Sequence, residues 1–173
     1  MAWYCRELLL FIQKNYFMEN NNNDEIDVLN DLVQINNDRI EGYQKAIEDT
    51  RDSGSDYQSV FSQMIDQSRR YKQELVSVIT TKGGDAERDS TTNSGKIYRV
   101  WMDMKSAFAG KSDKSALELC EFGEDAAQKA YASALDSDDL SEDTRSLVQF
   151  QKTQLKESHD LIKAQRDMEK AKS

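Results

Sequence analysis

The chain contains no proline. No helix interior is therefore interrupted by a ring that removes a hydrogen-bond donor, and every reversal must be built from Gly, Asn, Asp and Ser. Strand-forming residues are thin and nowhere alternate with polar ones over a convincing length, so a β-sheet has no support. Basic residues are in deficit: 23 Lys and Arg against 32 Asp and Glu leave a net charge of −9 and a pI of about 4.7. That balance argues against nucleic acid as a main partner, because a binder needs a basic face to displace counterions, and equally against an anionic membrane surface. The apolar run from Leu8 to Ile12 is too short to cross a bilayer, follows Glu7, and leads to no small-residue cleavage site. It reads as neither a membrane span nor a secretory signal. The two cysteines, Cys5 and Cys120, form no Cys-x-x-Cys pair and are expected as free thiols in a reducing, cytoplasmic setting.

What remains is helical, and the expected fold class is all-α. A length of 173 residues suits one domain, and 38% hydrophobic against 32% charged residues suits a modest core under a well-solvated surface. Residues 1–17 differ from the rest and precede the run Asn20 to Asn23. Asn favours turns over continued helix. Residues 1–22 are therefore expected as a tail outside the fold, with Met18 as an alternative start, and residues 23–170 as a four-helix bundle. The first helix is expected from about Asp24 to Arg51, with Leu29, Val33, Asn36, Ile40, Tyr43 and Ile47 inward and Gly42 beside them. After the turn cluster Asp52 to Ser55, a second helix runs to Thr81 with Tyr57, Phe61, Met64, Ser68, Tyr71, Leu75 and Val78 inward; Gly83 and Gly84 stop it. Residues 83–95 are a polar connection of the kind that crosses a bundle from end to end. A short aromatic helix from Lys96 to Ala109 carries Ile97, Tyr98, Trp101, Met104 and Phe108. The third helix is expected over 113–136 behind a Ser112 or Asp113 cap. The last runs from about Glu142 to Lys170 behind Ser141, with the inward stripe Leu147, Gln151, Gln154, Ser158, Leu161 and Gln165.

The stretch around which the rest is organised is Leu117 to Leu135. At about 100° per residue, Leu117, Cys120, Glu121, Glu124, Gln128, Tyr131 and Leu135 share one face. An inward face with two carboxylates needs a partner, a metal or a proton for each. Glu124 is expected to be buried and hydrogen-bonded to a Tyr or Gln across the bundle. Three readings stay open for this face: a structural polar layer, a carboxylate-rich metal site, since hard ions need no histidine, and a ligand crevice. Di-iron bundles use two Glu and two Glu-x-x-His pairs. The chain's only histidine is His159, the residue three before it is Lys156, and the motif is missing. His159 falls to the side of its helix's apolar stripe. No Ser-His-Asp arrangement is expected either, because Asp160 adjoins His159 and adjacent helix residues do not face each other. Tyr43, Tyr57, Tyr71, Tyr98, Trp101 and Tyr131 recur at helical spacing and read as core, and Gly83-Gly84 lacks the context of a phosphate loop.

Several motifs fall in order along the chain: Gly42-Tyr43, Gly83-Gly84-Asp85, and Arg99, Trp101, Met102, Lys105, Ser106 and Ala107. Cys120-Glu121-x-Gly123-Glu124-Asp125 with Ala130-Tyr131 follows, and His159-Asp160 closes the series. With these, the chain from about Asp24 to Asp167 resembles the bacterial ferritin-like four-helix-bundle proteins known only as a domain of unknown function. The resemblance implies a ferritin-like bundle with a long connection and a short aromatic helix between its second and third helices. It carries over no reaction, catalytic residue, cofactor or metal ligand. The role it implies is non-catalytic, structural or interaction-based, and stress-related by analogy. The partner would be a protein or a second copy, with no nucleic acid and no membrane. The alternative is a metal-binding or di-metal oxidase-type protein that uses Glu121 and Glu124, with iron or another divalent metal as cofactor.

Overall fold

The computed structural model describes residues 2–51, 57–90 and 112–172, with side chains from Asn22 onward. Four helices occupy most of these residues, and no strand occurs among them: α1 Ala2–Asp49, α2 Tyr57–Thr81, α3 Asp113–Asp136 and α4 Glu142–Lys172. The turn expected at 52–55 and the aromatic helix expected at 96–109 lie outside the described residues.

Each described helix end has a local chemical cause. Gly83 takes a positive φ of 80°, Gly84 N–H donates to Ile79 O at 2.9 Å and Gly83 N–H to Thr80 O at 3.0 Å. This is a Schellman motif, and only glycine adopts that backbone without strain. Gly84 is needed for a second reason. A Cβ there would lie 2.7 Å from Ile26 Cδ1, so any side chain at this position would force Ile26 to shift. Ser112 caps α3 by accepting from Ser115 N–H at 3.2 Å. At the other end of α3, Arg145 donates to the carbonyls of Leu135 and Ser137, satisfying acceptors the helix cannot reach.

The contacts set the topology. Asn22 reaches Lys82 and Arg39 reaches Ser68, so α1 and α2 are antiparallel. Asn36 meets Tyr131 and Tyr43 meets Glu124, so α3 also runs against α1. Glu121 pairs with Arg166 and Asp125 with His159, which makes α4 antiparallel to α3. The order is up, down, down, up, with α2 and α4 approaching less closely than the other neighbours. Because α2 and α3 point the same way, the chain between them must return the length of the bundle. Asn30 and Asn37 tie the start of that return to α1. Asn30 donates to Asp85 O at 3.1 Å and accepts from Glu87 N–H at 2.9 Å. Asn37 donates to Arg88 O at 3.1 Å and Ser90 O at 2.6 Å.

The core divides in two. One cluster gathers Leu29, Leu32, Val33, Ile35, Leu75, Ile79, Tyr131, Val148 and Leu155; the other gathers Tyr43, Phe61, Met64, Ile65, Leu117, Cys120 and Ile162. Each fully buried Leu, Ile or Phe side chain contributes about 1.5–3 kcal/mol. Between the clusters lies a layer of polar side chains.

Three expectations need correction. The first helix does not begin near Asp24: the backbone is helical from Ala2 and passes through the asparagine run unbroken. A weak former costs at most about 0.7 kcal/mol per residue in a helix, and Asn22 recovers some of that by donating to Lys82 O. The inward face of α1 is wider than a single stripe, because α2, α3 and the connection all cover it; Leu32, Ile35, Asn30, Asn37 and Arg39 are buried too. On α4 the buried face lies one residue later than expected at three of its positions. Gln151 and Ser158 face inward as expected, but their apolar companions are Val148, Leu155 and Ile162, not Leu147, Gln154 and Leu161. The interior face of α4 is correspondingly less polar than expected.

Candidate functional site

The polar layer is centred on Glu124, which is fully buried on α3. Arg39 of α1, only 2% exposed, donates from Nη2 to Glu124 Oε1 at 2.5 Å. The Tyr43 hydroxyl donates to the same oxygen. Arg39 Nη1 donates to Ser68 Oγ at 2.7 Å and Nη2 to Gln67 Oε1 at 3.2 Å, which brings in α2. Ser158 of α4 donates to Gln67 Oε1 at 2.9 Å, so all four helices meet here. The Arg39 guanidinium also lies 5.6 Å from the centroid of the Tyr43 ring, within range of a cation–π contact.

The electrostatics follow from burial and from the one strong pair. Burial, the largest influence, would lower the Arg39 pKa, but the Glu124 charge and hydrogen bond together with Tyr43 and Tyr131 outweigh it and leave the guanidinium above its ordinary value. Burial first, then the Glu124 charge, pushes Tyr43 well above a normal phenol, which keeps it a neutral donor. The Cys120 thiol, one turn from Glu124, is pushed well up by burial and by the same carboxylate, partly offset by Arg39. A thiol held in that state is a packing residue and a poor nucleophile.

A second network lies about two turns away. Asn36 donates to the Tyr131 hydroxyl at 2.8 Å, Tyr131 donates to Gln151 Oε1 at 2.8 Å, and Gln151 Nε2 donates to Glu74 Oε2 at 2.7 Å. This chain leads from the buried face of α1 to the solvent edge of α2.

The two acids singled out in the sequence have separate partners. Glu124 has Arg39 and Tyr43. Glu121 is held near the surface by Arg166, with Nη1 to Oε2 at 2.8 Å and Nη2 to Oε1 at 3.0 Å. Tyrosine as a partner for Glu124 was expected; arginine was not. Its signal was available, since Asn36, Arg39 and Tyr43 follow one another at steps of three and four, but Ile40 competes for the same slot. Gln128 finds no tyrosine and donates to Lys152 O at 3.3 Å. His159 does lie sideways, on the α3–α4 seam, and the expectation about Asp160 was wrong. Its Nδ1 is 3.0 Å from Asp160 Oδ1 and its Nε2 is 3.0 Å from Asp125 Oδ1. The ring projects along the helix surface, where a flexible neighbouring carboxylate can fold back to it. Of the six aromatic residues read as core, Tyr43, Tyr71 and Tyr131 are buried, Tyr57 is half-buried, and Tyr98 and Trp101 lie outside the described residues.

Two surface grooves flank the bundle. One lies between α1 and α2, lined by Asn37, Arg69, Lys72 and Asp89. The other lies between α3 and α4, lined by Leu135, Arg145 and Phe150. Neither is lined by Glu121 or Glu124. Among the described residues, no three His, Cys, Asp or Glu side chains converge as a metal site requires, and no helix is long and apolar enough to cross a membrane.

A family model described as "Domain of unknown function (DUF2383)" matches residues 24–137, which take in α1 from Asp24, α2, the connection and α3. This chain belongs to that family. No curated protein is similar enough to the chain to count as a relative. The DUF2383 match takes in Arg39, Tyr43, Ser68 and Glu124 and ends at the turn before α4. The central ion pair therefore lies wholly inside the family domain, whereas Gln151 and Ser158 lie beyond the match.

Proposed function

We propose that this chain is a non-catalytic, cytoplasmic bundle of the ferritin-like kind that acts through its surface as a structural or interaction protein. The observation that carries this reading is the Arg39–Glu124 pair. In ferritin-like di-iron proteins the bundle core turns carboxylates toward a metal; here a guanidinium supplies the cation in the core, and the carboxylate is spent on it. The helix order with one long crossover supports the ferritin-like assignment. Residues 1–21 would lie outside the bundle proper, although the backbone is helical from Ala2 and Asn22 already meets Lys82, and a stress-related or bacterial setting rests on family analogy alone.

A second reading, metal binding of a di-metal oxidase type, is favoured by one atom: Glu124 Oε2 is buried without a hydrogen-bond partner. Against it, a metal shared with Glu121 would have to displace both Arg39 and Arg166. Elemental analysis of protein purified without chelator, followed by iron loading with oxygen uptake, separates the two. The expected result is substoichiometric metal that does not change in Glu124→Gln. About one metal per chain, lost in both Glu124→Gln and Glu121→Gln, would overturn the proposal.

A further inference from the structure

We propose that α4 carries a self-association surface on which a second copy of this chain packs antiparallel. The inference rests on the interaction-protein reading and names the partner. Among the described residues, the large hydrophobic side chains left in solvent are Phe150 at 59%, Leu161 at 38% and Met168 at 49% exposure. All three are on α4. Their spacings of 11 and 7 residues place them within about 20° of one line along the helix, roughly 130° around from the buried stripe of Val148, Leu155 and Ile162. The line is about 27 Å long at 1.5 Å per residue. Isolated exposed apolar residues need no explanation, but three in register on one helix form a seam of the kind that marks a partner.

Two features select a second copy in antiparallel orientation. The first is charge. The chain as a whole is at −9, yet α4 carries seven basic and six acidic residues, so two copies can meet along it without the repulsion the rest of the surface would bring. Its charges are also graded: Glu142 and Asp143 stand in the first turn, Lys170 and Lys172 in the last. Antiparallel pairing sets each acidic start beside a basic end; parallel pairing sets like against like. The second feature is the spacing itself. With a two-fold axis near the middle of the seam, Phe150 of each copy meets Met168 of the other, a favourable sulfur–aromatic contact, and the two Leu161 side chains pack beside the axis. This is the self-complementarity that a closed two-fold interface requires. A single helix pair buries less than about 1,200 Å² in total, so the dimer should be weak and concentration-dependent.

The test is sedimentation velocity on the full chain over a concentration series. A reversible monomer–dimer equilibrium is expected, weakened by more than about tenfold in Leu161→Lys, because a charge would sit at the centre of the seam. Helical content and melting temperature measured on dilute Leu161→Lys establish that the monomer is intact; Met168→Lys serves as the second variant. Reversing the acidic end (Glu142→Lys with Asp143→Lys) should also weaken the dimer, and adding Lys170→Glu with Lys172→Glu should restore it. A chain that stays monomeric throughout overturns the proposal. So does a dimer indifferent to these substitutions, or one in which Phe150→Cys copies cross-link to each other faster than to Met168→Cys copies. Metal content read on the same samples keeps the two proposals apart: a metal-loaded protein that still dimerises through α4 would sink the earlier reading and leave this one standing.

Discussion

Removing Arg39 alone strands the Glu124 carboxylate in a layer closed by four helices, and removing Glu124 alone strands the guanidinium. Breaking one side of a buried ion pair typically costs about 3–5 kcal/mol, whereas replacing both sides with apolar groups is often neutral or stabilising. Arg39→Met and Glu124→Leu are therefore each expected to lower the free energy of unfolding by about 3–5 kcal/mol, and the double variant to recover most of the loss. Urea denaturation of the four proteins closes the cycle. Two single variants that each cost well under 1 kcal/mol would show that the pair is not the central contact inferred from its burial. At this scale the sequence was informative about one partner and silent about the other. A carboxylate in an apolar stripe advertises itself, so Glu124 was legible. Arg39 was not, because a helix stripe has room for either Arg39 or Ile40 at that step and hydrophobicity favours the isoleucine. The separation of Glu121 from Glu124 was equally hidden: on one helix the two acids share a face within about 60°, and only the neighbours decide that one faces the core and the other faces Arg166.

The asparagines of α1 act as an element-scale device. Asn22, Asn30 and Asn37 recur every seven or eight residues, so they line one edge of the helix and present amides to Lys82, to residues 85–87 and to residues 88–90. A backbone that leaves a helix and runs along another needs such partners, because its own groups have no ladder. Asn30→Ala and Asn37→Ala should each cost about 1–2 kcal/mol, and Asn30→Ala should speed amide exchange at Glu87, whose N–H is held by Asn30. Unchanged exchange in Asn30→Ala would mean that the connection is fixed by something else. In sequence only the run Asn20 to Asn23 suggested a break, and Asn30 and Asn37 drew no expectation; the role of all three becomes visible only once the connection lies against them. The α4 stripe failed for a different physical reason. Its sequence offers two apolar lines, one through Val148, Leu155 and Ile162 and one through Phe150, Leu161 and Met168; the expected stripe from Leu147 to Gln165 runs between them and shares only Leu161 with the second, because periodicity alone does not say which line faces inward. The N-terminal part of α1 carries a prediction of its own. A chain starting at Met18 keeps Asn22, Glu25 and every side-chain contact described above, so it should melt at the temperature of the full chain. A drop of several degrees, roughly the effect of 1–2 kcal/mol, would show that residues 2–17 pack on the bundle.

Across the whole molecule, stability should be bounded by acid at one end of the bundle and by alkali along its length. Glu25 joins three elements at one end: it pairs with Lys82 at the end of α2 at 2.7 Å and accepts Ser141 N–H at 3.1 Å and Ser141 Oγ at 2.7 Å at the start of α4. Burial by itself would raise its pKa, but the hydrogen bonds from Lys82, Thr144 and Ser141 outweigh that and leave it below the ordinary 4.5. A depressed carboxylate contributes stability that is present above the unfolded value and is lost as pH falls through the folded one. Glu25→Gln should therefore be less stable than the parent at neutral pH and converge on it as pH falls below the ordinary 4.5 and through the lowered folded value. The alkaline limb has the opposite sign. Burial and then the bond to Glu169 raise Tyr57 from 10.0 to about 12, while burial also raises Tyr43, Tyr71 and Tyr131. A raised phenol contributes stability that is complete below the unfolded value and is lost as pH climbs toward the folded one. Denaturation midpoints should thus hold level through neutral pH and fall above pH 10, the ordinary phenol value. The phenolate absorbance of Tyr43, Tyr71 and Tyr131 should appear together with the loss of helix, because burial holds these three hydroxyls neutral until the bundle opens. In Tyr57→Phe the decline between pH 10 and about 12 should be shallower, since one of the groups that drives it is gone. If Tyr43 and Tyr131 instead ionise near their ordinary value while the helical signal stays intact, the polar layer is open to solvent in solution, and the closed Arg39–Glu124–Tyr43 centre is wrong.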